Sequence, residues 1–285
     1  MAVHERRFVS YEGPETPERW RWLVIPRYAL RDVFASRVFI FMFALGFIGP
    51  LLCFGLVYLK TRTGDLGQLG EFLSVLQIDR LAYRNMMRVQ AVFAFLTALI
   101  VAPGMLYADI VGGGLPLYLA RPISRAEYAF GKLVVPLALT SLLTWVPGVA
   151  LFAFQSALEE PGWTWKNLSI VWAILVASGL LIVVLSLVGL ACAAAVKSKL
   201  WSRALFLMVY FVSGGLGDTI NLTFDTEWGS LLDIGALNAA VFTHLFDEGV
   251  TSGIPFGAAL AAIAVVCAAS IGILARRLRA FEIVR

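Results

Sequence analysis

Apolar residues in this chain neither alternate with polar ones nor keep to one helical face. They run on without interruption. Six such runs stand out: Val38 to Leu59, Val89 to Ala108, Leu133 to Gln155, Ser169 to Val196, Ala204 to Leu216 with an extension to Ile220, and Pro255 to Ala275. A helix needs roughly 20 mostly apolar residues to cross a hydrocarbon core. Continuous runs predict helices, because barrel strands alternate and a helix satisfies its own backbone polar groups in lipid. The fourth run is long enough to tilt or to project beyond the core.

Two other stretches are patterned but do not read as spans. From Glu18 to Arg37, aromatic and aliphatic residues interleave with arginines in a helical rhythm. This predicts an amphipathic helix on the membrane surface, started or broken at Pro26, with Trp20, Trp22, Tyr28 and Arg31 among its interfacial residues. From Leu231 to Phe246, Ile234, Leu237, Val241 and Leu245 share one face. That segment predicts an interfacial or re-entrant helix, hairpinned with the residues before it; a partial seventh and eighth span is the alternative. The fold class expected is therefore all-α: a polytopic membrane protein with six transmembrane helices, an N-terminal interfacial helix and an outer helical hairpin between spans five and six. Residues 1–37 form a tail and surface helix, 38–275 the transmembrane domain, and 276–285 a second tail.

Composition agrees with this division. Only 15% of residues are charged, 60% are hydrophobic, and the mean hydropathy is +0.82; a soluble domain carries about 25% charged residues. The net charge of +4 matters less than its placement. With the N-terminus inside, the inner segments hold 17 of the 23 basic residues. The positive-inside rule then places both termini in the cytoplasm. Lys60, Arg62, Arg80, Arg84, Arg88 and Lys166 are the exceptions, the first five all in the first outer connection. No Lys or Arg occurs between Ala204 and Ala275, where Asp218, Asp225, Glu227, Asp233, Asp247 and Glu248 make the last outer segment acidic. The first 22 residues lack an early apolar core, so the first run reads as a retained span rather than a secretory signal.

Candidate chemistry is sparse. Cys53, Cys192 and Cys267 lie in apolar runs without a CxxC neighbour and read as small buried hydrophobes. His4 and His244 are too few for a metal site. No Asp, Glu, Lys or Arg sits at mid-span, which argues against ion-coupled transport. An intramembrane enzyme, such as a lipid-modifying one, would have only His244, Asp247 and Glu248 to work with, and these read as a solvated helix end.

The connection from Asp109 to Lys132 is the informative one. Gly112, Gly113 and Gly114 end the second run. A short apolar stretch follows, broken at Arg121-Pro122, and Ser124 with Glu127 has the spacing of a capping box. The pattern predicts a short stiff helix, then a capped helix running through Tyr128, Gly131 and Lys132 into span three. Gly131-Lys132 is not a Walker phosphate loop, since Ala126 stands where its first glycine belongs and Leu133 follows the lysine.

This segment has leucines at 115, 117 and 119, then Ala120-Arg121-Pro122-Ile123-Ser124-Arg125, Glu127-Tyr128 and Gly131-Lys132. It resembles the cytoplasmic loop of ATP-binding-cassette permeases of the type-2 exporter class. The resemblance implies a permease in a bacterial plasma or inner membrane, working as two copies or with a related chain. It implies two separate ATPase subunits that hold MgATP, with no cofactor in this chain and no nucleic acid as partner. Gly114, Leu115, Pro116, Leu117, Tyr118, Leu119, Arg121, Pro122 and Arg125 would dock on the ATPase, with the N-terminal helix beside them. Membrane lipids and an outer accessory protein complete the expected partners. Export of a substrate and transmission of force to an outer partner, with this chain as a membrane anchor, both fit the sequence.

Overall fold

The computed structural model describes residues 22–60, 78–111, 124–246 and 253–280. Every regular element among them is helical. Six helical stretches are long and apolar enough to cross a membrane: Arg37–Lys60, Arg80–Tyr107, Arg125–Leu158, Trp163–Ala195, Lys199–Phe224 and Phe256–Leu278. The six runs read from sequence lie within them, except for a residue or two at some ends, and most extend further. The fourth, at 33 residues, is about 50 Å long at 1.5 Å per residue, well over the roughly 30 Å hydrocarbon core.

Three spans are interrupted, each beside a proline, which has no N–H to donate and crowds the carbonyl four residues back. Span one divides into α2 (Arg37–Leu45) and α3 (Ile48–Lys60). Pro50 denies the Gly46 carbonyl its helical partner, and the Gln90 side-chain amide donates to that carbonyl instead, at 2.9 Å. Span two divides at Ala102-Pro103 into α4 (Arg80–Val101) and α5 (Gly104–Val111). Beside this break Arg203 donates to the Ile100 carbonyl at 3.0 Å. Span three divides at Thr144, three residues before Pro147, into α6 (Arg125–Leu143) and α7 (Trp145–Leu158). There the Thr144 hydroxyl donates to the Thr140 carbonyl at 2.8 Å.

Span four, α8 (Trp163–Ala195), is the central post. It is apolar all round, as suits a helix that meets both protein and lipid, and from Val184 to Ala194 every residue is buried. Gly189 lets it approach the break in span two so closely that a Cβ there would lie 2.5 Å from the Cβ of Ala102. Spans one and five are the least covered, with 17% and 11% of their apolar windows buried, against 44–56% for spans two to four.

α1 (Val24–Phe34) is the expected amphipathic helix. Ile25, Pro26 and Ala29 are buried, while Arg27, Tyr28, Arg31 and Asp32 are exposed. It begins at Val24 with Pro26 in its first turn, where a proline is tolerated. Ser36 then caps α2 by accepting from the Phe39 amide.

At the far face, α9 (Lys199–Phe224) carries span five beyond the extent read from sequence. The chain turns at Asp225, in the left-handed region at φ 48°. It passes through a 3-10 turn, Trp228–Leu232, into α10 (Ile234–Phe246), and α11 (Phe256–Ala280) forms span six. The turn lies against α9: Asn221 accepts from the Gly229 amide at 2.7 Å and donates to the Ser230 hydroxyl at 2.8 Å. α10 does not float on the surface. Leu237, Val241 and Phe246 are buried in one core with Tyr83 and Met87 of α4 and Ile174 of α8.

Gly214 and Gly217 therefore serve packing within the chain, against Asp233 and Gly229, whereas Gly215 faces open space. A Cβ at Gly217 would lie 2.5 Å from the Gly229 carbonyl oxygen. Gly217→Val should cost about 1–3 kcal/mol by overpacking, read as a lowered unfolding temperature in detergent. Gly215→Val, with nothing within 4 Å, should stay within about 0.5 kcal/mol; equal losses at the two positions would overturn this account of the turn.

Candidate functional site

The apolar part of the connection between spans two and three, Gly114 to Pro122, lies outside the described residues, as does Trp20. Its two stems are described, and they are clasped together. The Asp109 carboxylate lies 2.7 Å from the Lys132 ammonium, with side-chain exposures of 14% and 10%. The Tyr128 hydroxyl donates to the same carboxylate oxygen at 2.6 Å. Tyr128 and Lys132 are four residues apart on α6 and so share a face. Tyr128 is fully buried, and the ammonium stands 5.7 Å from the centre of its ring. Two donors thus meet one carboxylate where the connection leaves the bundle.

The second stem is also capped. Ser124 accepts from the Glu127 amide at 3.2 Å, and Glu127 accepts from the Ser124 amide at 2.7 Å. The capping box expected from sequence is complete, and it fixes the direction in which the chain enters α6. Arg125, the first residue of that helix, is partly exposed.

α1 is seated on this stem. A Cβ at Gly131 would lie 3.2 Å from Ile25, so glycine sets how closely the two helices approach. Trp22 packs on Phe130 with ring centres 5.3 Å apart. Of the expected interfacial residues, Trp22 is half-buried in this contact, while Tyr28 and Arg31 stay exposed. Gly131-Lys132, weighed above as a phosphate motif, instead joins α1 to the stem and the two stems to each other.

A second polar constellation, missed from sequence, occupies the opposite face. Arg80, Arg84 and Arg88, counted above as outer-loop charges, belong to α4 and recur every four residues. Arg80 donates to the Leu245 carbonyl at the C-terminal end of α10 at 2.6 Å and to the Ser169 hydroxyl at 3.4 Å. Arg88 reaches the Thr243 hydroxyl at 3.4 Å. A guanidinium at a helix C-terminus satisfies a free carbonyl and opposes the helix dipole. The four-residue spacing was the available signal. His244, the residue weighed for intramembrane chemistry, stacks on Phe256 with ring centres 4.3 Å apart; Asp247 and Glu248 lie outside the described residues. Among the described residues no group of three or more His, Cys, Asp or Glu is placed to hold a metal ion.

A clasped connection between spans two and three, a surface helix seated on it and six spans around a central fourth define a polytopic membrane subunit. Comparison with known families agrees, matching residues 23–271 to the ABC-2 family transporter proteins. The chain belongs to that family and is the membrane, non-catalytic component of an ATP-binding-cassette transporter, a kind of assembly that includes an ATPase. Among curated proteins, none matches the chain.

The clasp has a measurable signature. Asp109→Asn leaves the Lys132 ammonium without its countercharge and should destabilise by about 3 kcal/mol. Asp109→Asn combined with Lys132→Met should recover part of that loss, because the uncompensated charge is gone. Denaturation of the wild type, Asp109→Asn, Lys132→Met and the double variant in one detergent gives the comparison, and losses that simply add would show that the pair contributes no coupling.

Proposed function

We propose that this chain is one of two membrane subunits through which two separate ATPase subunits, holding MgATP, drive export across a bacterial plasma or inner membrane. The observation that carries this reading is the clasp of Asp109, Tyr128 and Lys132 at the root of the connection. A docking element transmits force only if its roots do not slip past each other. The buried ion pair ties the end of span two to the start of span three, the capping box sets the exit direction, and α1 braces the stem through Ile25 and Trp22. Residues Gly114 to Pro122, with Arg125, are the ATPase-docking surface in this reading. Arg121 and Arg125 offer charge to acidic groups on that partner.

Movement at the dock is absorbed within the spans. The breaks at Ala102-Pro103 and at Thr144 divide spans two and three into a segment next to the dock and a segment beyond it. A push on the clasp then tilts α5 and α6 together while α4 and α7 stay in the central core, a hinge-type response. Orientation follows the charge distribution: the face bearing the clasp and both termini is cytoplasmic, and the basic residues of the other face are partly engaged as ligands of α10. The second copy needs an uncovered apolar face, and spans one and five offer the largest.

Force transmission to an outer partner is the second reading, favoured by the burial of α10 in the same core as α4 and α8. Both readings share the dock. Reversing charge with Arg121→Glu and Arg125→Glu should lower recovery of the ATPase with the purified membrane subunit at least about tenfold, while the subunit itself still inserts and purifies. Unchanged ATPase recovery together with unchanged ATP turnover would remove the docking role.

A further inference from the structure

A cavity of about 300 Å³ lies beneath α1, at the ends of spans one, two and five on the face that carries the clasp. Its size falls at the small end of ligand pockets, which run from about 300 to 1,000 Å³. Asp109 and Lys132 line it but are matched to each other. The remaining ionic groups on its wall are Asp32, Lys199 and Arg203. Neither Lys199 nor Asp32 has an ion pair among the described residues. Arg203 spends one guanidinium nitrogen on the Ile100 carbonyl, and its Nε is buried without a hydrogen-bond partner.

These groups have a common chemistry. Lys199 and Arg203 stand one turn apart at the start of α9, and the cap residue Ser198 makes no side-chain bond to the helix amides. The positive end of a helix, a free ammonium and the Arg203 guanidinium all line one small space, which suits a phosphate. The stem of Lys199 rests near Gly104, where an added Cβ would lie 3.4 Å away. A carboxylate on the opposite wall is out of place for a simple phosphate but suits a ligand that also carries an amine. Val33, Phe39 and Met105 add apolar surface to the wall, and Tyr28 and Ser36 add hydroxyls. Spans one and five, the least covered of the six, flank the cavity, so a lipid held there would sit at the rim of the face offered to the second copy.

We propose that this cavity binds the phosphoethanolamine headgroup of a phospholipid from the leaflet on that face, with Lys199 and Arg203 taking the phosphodiester and Asp32 the ammonium. The lipid ties α1 to the start of span five, two elements that the chain itself joins weakly. This site stands apart from the ATPase-docking reading, since a complex with no bound ATPase retains every group named.

The test uses the purified complex in detergent, stripped of lipid and titrated separately with phosphatidylethanolamine, phosphatidylglycerol and inorganic phosphate while its unfolding temperature is followed. Phosphatidylethanolamine at about tenfold over its dissociation constant should raise that temperature by about 3 °C, and inorganic phosphate should not. Lys199→Gln should abolish the rise for both lipids. Asp32→Asn, at an exposed position, should keep the response to phosphatidylglycerol and lose the preference for phosphatidylethanolamine. An equal response to inorganic phosphate overturns the lipid assignment. No response to either lipid, or an undiminished one in Lys199→Gln, overturns the site. A preference for phosphatidylethanolamine that survives Asp32→Asn overturns the role of the carboxylate.

Discussion

Hydrocarbon offers a backbone nothing to bond with, and that constraint organises this molecule. A continuous helix meets it unaided. Where the helices stop or break, carbonyls are left open, and several here take donors from side chains, most of them on another element. Gln90 serves the carbonyl of Gly46 that Pro50 leaves open, and Arg203 serves Ile100 beside Pro103. Arg80 serves Leu245 at the end of α10, and Arg277 serves Ala195 at the end of α8, at 3.2 Å. The same polar residues that repair the backbone thereby fasten one span to the next. In a solvent that supplies little hydrophobic drive between helices, these repairs are a main source of specificity in how the bundle closes.

Much of the architecture was legible because lipid imposes so simple a rule on sequence. The six runs, the surface helix and the capping box at Ser124 were all visible as local patterns. What local pattern missed is instructive. The start of span two was placed at Val89, although the helix begins at Arg80. Arginines lower hydropathy, and nothing in the nearby sequence says that their partners are the carbonyl of Leu245 and the hydroxyl of Thr243. Span five was shortened for the same reason, since Lys199 and Arg203 read as an inner loop. At the stems, Asp109 and Lys132 were recognised as the two ends of a connection, but their pairing depends on two helices lying side by side. The cavity beneath α1 was invisible, because its charged groups come from four separate helices.

The clasp and the repairs divide labour between the two faces. On the face that carries α1, an ion pair, a tyrosine and a braced surface helix hold together the two stems of the connection between spans two and three. On the other face, a 3-10 turn and α10 cover the ends of the spans and are held by asparagine, glycine and arginine contacts. Between them lies the central post of span four, whose small residues allow close approach at Gly189. The interruptions of spans two and three fall between the clasp and the covered face.

The seat of α1 on Gly131 also has a consequence for the order in which the molecule is made. α1 leaves the ribosome early, yet the surface that receives Ile25 and Trp22 belongs to a helix that begins only at Arg125. At roughly 5–20 residues per second, α1 waits several seconds for span three to be synthesised. Its apolar face has the membrane surface as a resting place during that interval. Amphipathicity in this segment thus serves two successive hosts, first lipid and then protein, and the change of host marks the moment when the third span has arrived.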